Sequence, residues 1–266
     1  MSININCNTQ ITADRLNIID DALFRKMAED IAFCEEVVST ILEKSISIIE
    51  VTEQKDIKNL QGRSVILDAL CTDADGKLYN IEVQNANNDD HQKRVRYNGA
   101  CITTNFSETG EKFLSIPDVV VILISRFDIF KSNKTVYHID RIIRETGAII
   151  DNGFSEIYVN AAIDDGSKIA MLMDIFTDVD KYDFELFPKT SARKQKFKLS
   201  EGGKAEMCEI VEEYAKEQVS LKIIEIVDNC AKNLNVDIGH ACQALNISPE
   251  EYAEARAISE KAMVNS

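Results

Sequence analysis

The chain has 266 residues, of which 45% are hydrophobic and 28% charged, a composition typical of an ordinary globular protein rather than a disordered or fibrous one. Its longest apolar run, residues 119–124, is far shorter than the roughly 20 residues that span a bilayer, so we expect no membrane contact. The net charge of −15 argues against tight non-specific binding of nucleic acid, because the phosphate backbone attracts clustered Lys and Arg.

The start of the chain and the cysteines predict a cytoplasmic location. Residues 1–15 contain no basic segment followed by an apolar core, so no signal peptide is expected. Seven scattered cysteines without a Cys-x-x-Cys pair, together with three histidines, indicate reduced core thiols rather than disulfides or a zinc site.

Residues 20–50 have the spacing of one long helix or two short ones. Apolar residues recur three and four positions apart in one stripe: Phe24, Met27, Ala28, Ile31, Val38 and Leu42. Glu35 falls within that stripe, where a charge is costly unless it is paired or bound to a metal. It is either a further carboxylate of a metal site or a residue at the helix edge that reaches water. A candidate edge strand at residues 46–51 and a break at Gln61-Gly62 follow.

Two strand-like runs in residues 64–84 flank Asp75-Gly76, the strongest short-range signal of a β-hairpin. Because side chains alternate between the two faces of a strand, Glu82 and Gln84 share one face of the second run. With a short turn, Asp68 comes opposite or diagonal to Glu82, roughly 5–8 Å away. Two carboxylates so close repel unless a cation lies between them, and a hard divalent ion such as Mg²⁺ meets that need.

The polar residues 85–90 predict a loop with N-cap candidates, and residues 91–105 predict a helix. Arg94 and Tyr97 lie three positions apart on that helix and share a face. Both are candidates for binding substrate phosphates. The alternatives are a plain surface charge for Arg94 and simple packing for Tyr97.

The following segments predict a mixed fold of strands and helices. Residues 118–130 begin with a continuous Val/Ile/Leu run, which is typical of a strand covered on both faces. Residues 135–160 predict a hairpin with its turn at residues 145–147, and residues 169–176 have helical spacing. The basic run Lys189–Lys198 is a solvated face or, less often, a phosphate contact.

The stretch Ser200–Gly203 separates two predicted domains, residues 1–200 and a helical region of residues 201–266. A short helix at residues 237–245 and a capping box at Ser248–Glu251 suggest a helix-turn-helix, but the second helix is too acidic to enter a major groove. We therefore expect the C-terminal helices to cap the first domain or to form a homodimer.

Several short motifs occur in a fixed order along the chain: Leu67-Asp68, Asp75-Gly76-Lys77, Tyr79-Asn80-Ile81-Glu82, Val83-Gln84, Lys93–Tyr97, Ile116–Ile124 and Asp128-Ile129-Phe130. In these motifs the chain resembles PD-(D/E)XK nucleases, in particular the branch of recombination-promoting nucleases and PD-(D/E)XK family transposases. The similarity extends from about residue 20 to the low 200s. It implies an α/β, restriction-endonuclease-like fold with a mixed central sheet flanked by helices, and a C-terminal helical appendage.

The resemblance also implies a metal-dependent DNA endonuclease, linked to recombination or mobile elements. Asp68 and Glu82 would hold Mg²⁺ or Mn²⁺ together with the backbone carbonyl of Val83, and Glu35 is a candidate further ligand. The expected catalytic residues are Asp68, Glu82 and Gln84. Gln84 stands where such nucleases usually carry Lys, and its amide can hydrogen-bond a water molecule but has no charge.

Two other functions stay open. A nuclease fold with little or no activity, serving as a nucleic-acid-binding or regulatory protein, would account for the missing Lys and the acidic net charge. A toxin or defence component would act on cellular nucleic acid by the same chemistry. A metal ion bound between Asp68 and Glu82 would favour the hydrolase over the inactive fold.

Overall fold

The computed structural model describes residues 14–57, 65–87 and 90–264. The chain divides into two compact units, one of residues 14–204 and one that contains residues 205–264. The predicted break at Gln61-Gly62 lies outside the described residues.

Two short helices, α1 (Asp21–Ala28) and α2 (Ile31–Ile41), form where the sequence allowed one or two. The second helix begins at a cap, because the Asp30 side chain accepts a hydrogen bond from the Phe33 N–H at 3.0 Å. Ile31 directly follows this cap and is 42% exposed, unlike the rest of the stripe. The residues of the stripe that are completely buried are Phe24, Met27, Ala28 and Val38.

A six-stranded mixed sheet in the order β1-β2-β3-β4-β8-β5 forms the centre of the first unit. Its strands are β1 (Ile48–Ile57), β2 (Val65–Asp73), β3 (Leu78–Gln84), β4 (Val119–Ser125), β5 (Val136–Ile139) and β8 (Phe154–Asn160). The pairs β1/β2, β2/β3 and β5/β8 are antiparallel, and β3, β4 and β8 run parallel. All seven residues of β4 are buried, as predicted for a strand covered on both faces. This confirms the expected α/β class with a mixed central sheet.

The predicted hairpin of β2 and β3 is confirmed. Its backbone pairs run from Thr72/Leu78 to Ala69/Ile81. Gly76 in the turn has a φ of +80°, a left-handed conformation that favours glycine. The register gives the two strands the alternating faces that the sequence analysis assigned to them.

The predicted hairpin of residues 135–160 is also present, with an inner part that the sequence did not indicate. Its outer strands are β5 and β8, and its tip is a separate two-stranded sheet of β6 (Arg141–Ile142) and β7 (Ile149–Ile150). Gly147, in the predicted turn, has a φ of +71°.

Helices flank the sheet. The rings of Phe24, Phe33 and Phe176 lie 6.1–6.4 Å apart and join α1 and α2 to α4 (Lys168–Thr177). Helix α3 (His91–Asn105) packs against β4. At Gly99 of α3, an added Cβ would lie 2.2 Å from the Phe154 ring, so a larger residue here requires that ring or the helix to move.

The basic run lies on α5 (Pro188–Leu199), and much of it serves internal contacts. Lys194 is completely buried, its ammonium group donates hydrogen bonds to three backbone carbonyls, and burial lowers its pKa to about 8. Arg193 forms an ion pair with Asp30 at 3.2 Å, and Lys198 donates to the Asp14 carbonyl at 3.1 Å. For these three cations, neither a solvated face nor a phosphate contact describes the structure.

The chain beyond α5 is helical, as predicted, in α6 (Glu201–Leu234), α7 (Ile238–Ala244) and α8 (Pro249–Val264). The two glycines of the predicted boundary lie inside α6 rather than in a loop. The capping box is present: the Ser248 hydroxyl accepts from the Glu251 N–H at 3.0 Å, and the Glu251 carboxylate accepts from the Ser248 N–H at 2.8 Å. No helix among the described residues is both long and apolar enough to cross a membrane.

Candidate active site

Asp68 and Glu82 lie directly beyond the last backbone pair of β2 and β3, Ala69/Ile81. Beyond that pair, side-chain carboxylates rather than backbone carbonyls accept the hydrogen bonds between the two strands. The Asp68 carboxylate accepts a hydrogen bond from the Val83 N–H at 2.9 Å, and the Glu82 carboxylate accepts one from the Asp68 N–H at 3.4 Å. Each acid therefore contacts the strand that carries the other, and the structure brings the two together as the alternation predicted.

Both carboxyl groups are buried, since Asp68 is 7% exposed and Glu82 is 1% exposed. Burial, followed by the charge of Glu82, raises the pKa of Asp68 well above its ordinary value. Burial also raises the pKa of Glu82, and the charge of Arg94 opposes that rise without cancelling it. Negative charge on this pair is therefore costly unless a cation is close.

Arg94, on α3, is a cation that contacts the Glu82 member of the pair. One terminal nitrogen of its guanidinium donates to the Glu82 carboxylate at 3.0 Å, and the other donates to the Gln84 side-chain oxygen at 2.8 Å. Burial opposes the charged form of Arg94, but the charges of Glu82 and Asp68 outweigh it and raise the pKa of Arg94. Arg94 therefore places a positive charge next to Gln84, which stands at the motif position usually occupied by a charged Lys.

Asn80 is a member of the site that the sequence analysis did not single out. Its side chain is completely buried, and its amide nitrogen donates to the Glu82 carboxylate at 3.0 Å. Its amide oxygen has no hydrogen-bond partner among the described residues. Since buried polar atoms are normally paired, this oxygen is a further candidate ligand for a cation. The sequence could have indicated Asn80, because residues two positions apart on a strand lie on the same face, and Asn80 is two positions from Glu82.

Glu35 does not join this group, and its interpretation as a metal ligand is corrected by the geometry. Its carboxylate accepts a hydrogen bond from the Ile48 N–H at 3.0 Å. Ile48 pairs with Asp73, which is five residues from Asp68 along β2, or about 16 Å at the usual rise per residue. The charge within the apolar stripe is explained by its contact with the start of β1.

Tyr97 packs against the apolar core between α3 and the sheet. The packing interpretation of Tyr97 therefore has contacts in the structure, and substrate binding by this residue stays a prediction. Arg94 lies on the same helix and contacts Glu82.

The donor atoms at the pair fit a hard divalent ion. The two carboxylates and the amide oxygen of Asn80 are oxygen ligands, the class that Mg²⁺ prefers. No cluster of three or more His, Cys, Asp or Glu suited to a metal occurs in the described part of the chain. Mg²⁺ does not require one, because it is usually bound by one or two carboxylates and keeps several water molecules.

Three comparisons with known proteins bear on the chain as a whole. Neither a search of curated proteins nor a search of solved structures found a significant match. A sequence profile described as PD-(D/E)XK nuclease family transposase matches residues 30–162, half of the chain. The matched segment runs from the start of α2 to the end of β8 and includes the acidic pair, Gln84 and Arg94. The chain therefore belongs to the PD-(D/E)XK nuclease family transposases, a family that in general implies nuclease activity and the use of a divalent metal.

Proposed function

We propose that this protein is a metal-dependent endonuclease that hydrolyses phosphodiester bonds in DNA. The observation that carries the proposal is the pair of buried carboxylates that meet across β2 and β3, beside Gln84, in a chain of this family. A buried acidic pair costs stability, and such costs concentrate at functional sites.

In this proposal Asp68, Glu82 and the backbone carbonyl of Val83 hold Mg²⁺ or Mn²⁺. When bound, the ion would lower the pKa of the attacking water and compensate the negative charge that develops on the phosphate. Asn80 fixes the orientation of the Glu82 carboxylate through its hydrogen bond.

Gln84 and Arg94 share the work that a motif Lys does elsewhere. The Gln84 side-chain oxygen accepts a hydrogen bond from the attacking water and orients it. The Arg94 guanidinium has a planar fork that matches phosphate oxygens, and its charge stabilises the transition state. Arg94 exchanges its present contacts with Glu82 and Gln84 for the substrate when the strand binds.

The test is the nicking of supercoiled plasmid by the purified protein with Mg²⁺ or Mn²⁺. Asp68→Asn keeps an oxygen that can accept from Val83 but removes the charged ligand. We expect it to lose more than about a hundredfold in rate, the upper range for residues that only support a ligand. Glu35→Gln is the matched control and should cleave like the parent. An Asp68→Asn protein that nicks as fast as the parent would refute the site.

A second function has an observation in its favour. Arg94 already compensates Glu82, and both carboxylate oxygens of Glu82 have hydrogen-bond donors. A nuclease fold that binds nucleic acid or regulates a partner, without catalysis, would keep this arrangement permanently. Calorimetric titration with Mn²⁺ separates the two: no heat of binding, together with intact DNA binding, would favour the inactive fold.

We also propose a cytoplasmic protein linked to recombination or mobile elements, which forms a homodimer through its C-terminal helices. The transposase description of the family supports the first part. Large apolar side chains exposed on α6 support the second: Val219 is 59% exposed and Leu234 is 62% exposed. Light scattering of the full chain should give twice the 29.9 kDa mass of one chain, and a double Val219→Ser, Leu234→Ser variant should give that mass once. A monomeric parent would contradict the dimer.

A further inference from the structure

A groove of about 660 Å³ runs along α3 in the first unit, away from the acidic pair. One wall is a single face of α3, made of Arg96, Gly99, Ala100, Thr103 and Thr104. The other walls are the segment before β4, which contains Phe113 and Leu114, and the start of β8 with the neighbouring Arg141. The small side chains of α3 leave the floor of the groove open.

The groove is cationic although the chain as a whole has a net charge of −15. Arg96 is exposed and makes no close ion pair or hydrogen bond among the described residues, although its charge also acts on Asp90. Arg141 is held in place by donating to the Phe154 carbonyl at 2.7 Å and by stacking 4.9 Å from the Phe154 ring centroid. Asp118 is the acid of the lining, and Lys77 lies 3.7 Å from it. Two arginines on facing walls suit a polyanion rather than an acidic or neutral partner.

Two adjacent apolar side chains form the rim of the groove. Phe113 is 91% exposed and Leu114 is 94% exposed, so neither contributes to the core. An exposed aromatic ring that lines the same groove as arginine side chains is the arrangement on which unpaired bases stack in single-strand binding proteins. Together with Leu114 and the two arginines of the lining, this ring offers an apolar face beside positive charge.

We propose that this groove binds the substrate strand at a distance from the bond that is cut, with Arg96 and Arg141 on phosphates and Phe113 stacked on a base. The inference rests on the proposed nuclease function and specifies a strand with at least one unpaired base. Glu82 pairs with Leu123, and Leu78 pairs with Val119 at the groove end of the same strands. Four residues of strand cover about 13 Å, so the groove begins at about that distance from the acidic pair along the sheet.

The experiment measures binding without cleavage. Fluorescence anisotropy of a labelled 20-nucleotide single-stranded DNA is recorded in EDTA at several salt concentrations. Arg96→Gln should weaken binding and reduce the slope of log affinity against log salt by about 0.7, the value for one phosphate contact on a single strand. Phe113→Ser should weaken binding at least about fivefold with an unchanged salt slope, because stacking is not ionic.

Matched controls are exposed residues that do not line the groove. Lys222→Gln removes a cation whose side chain is 66% exposed, and Leu199→Ser removes an apolar side chain that is 61% exposed. Both should bind DNA like the parent. All four side chains are exposed, and Lys222 forms only a surface ion pair with Glu225, so all four variants should keep the melting temperature of the parent within a few degrees.

The outcomes separate this inference from the proposed function. If the parent cleaves DNA but the two groove variants bind like the controls, the groove is not a substrate site and the nuclease assignment stands. If the parent binds the strand and the groove variants do not, while no protein cleaves, the groove stands and the nuclease assignment fails. Failure of the parent to bind single-stranded DNA overturns the groove proposal. A change of oligomeric mass in Phe113→Ser, with DNA binding intact, would assign the rim to a second copy and overturn it too.

Discussion

Strand β2 carries two buried aspartates, five residues apart, whose surroundings differ. Asp73 is 8% exposed, and its carboxylate accepts hydrogen bonds from two backbone N–H groups of the turn at 2.9 Å and from the Tyr79 hydroxyl at 2.8 Å. Asp68 is as deeply buried but accepts one from Val83 and lies beside a second carboxylate. Burial alone therefore does not distinguish the two aspartates. Asp68 differs in having fewer neutral donors and a neighbouring like charge, which are features expected of functional sites.

Of the changes at these two aspartates, Asp73→Ala should reduce stability the most. Asp73→Ala leaves the Tyr79 hydroxyl, in a side chain that is 1% exposed, and two backbone N–H groups without their acceptor. We expect a loss of about 3 kcal/mol in the free energy of unfolding, from one to two unsatisfied buried groups. Urea denaturation measures it. A loss below about 0.5 kcal/mol, the range of ordinary surface changes, would contradict a structural role for the hydrogen bonds of Asp73.

Metal addition should stabilise the parent and leave one variant unaffected. A divalent ion at a hundred times its dissociation constant adds about 2.7 kcal/mol to the free energy of unfolding. The parent and Asp73→Asn should both show this rise in Mn²⁺ relative to EDTA, measured by thermal denaturation. Asp68→Asn should not, because it lacks one charged ligand. An equal rise in all three proteins would place the metal elsewhere.

Asp68→Asn should itself be more stable than the parent when no metal is present. The raised pKa of Asp68 means that the folded state disfavours the carboxylate relative to the unfolded state, so the ionised group costs stability at neutral pH. The amide removes the charge and keeps an acceptor for Val83. We expect a gain of about 1 kcal/mol, smaller than the changes above. The same urea experiment in EDTA measures the gain, and a loss of stability would contradict the assumed repulsion.

Glu35→Gln should have the smallest effect. Its carboxylate accepts one hydrogen bond, from Ile48, at a half-buried position. An amide oxygen can replace that acceptor, so we expect a change of less than about 0.5 kcal/mol in stability and no change in metal-dependent stabilisation. Loss of the Mn²⁺ effect in this variant would restore Glu35 as a ligand.

Local periodicity predicted the parts of the fold and site that depend on neighbours along the chain. The alternation that placed Asp68 near Glu82, the buried run of β4 and the helix that carries Arg94 all follow from spacings of two or three to four residues. The capping box at Ser248–Glu251 was predicted from a pattern within four residues.

The parts that the sequence could not predict depend on which segments meet in space. Lys194 belongs to a basic run, yet its ammonium is buried among carbonyls of other segments. Glu35 has the position expected of a site residue in its helix, but the register of β1 brings it to the far end of β2. The amide oxygen of Asn80 has no hydrogen-bond partner among the described residues. The spacing of residues along the chain cannot show that a partner is missing.

The close contact at Gly99 has a consequence for the electrostatics of the site. The positive charge beside the acids is carried by a helix, whereas a motif Lys would be carried by the same strand as Glu82. Gly99 determines how near α3 comes to the sheet, and it lies five residues, or about 7.5 Å along the helix axis, from Arg94. A side chain at that position would displace either the Phe154 ring or the helix. If the helix moves, the guanidinium of Arg94 is drawn away from Glu82, although Gly99 itself contacts neither acid.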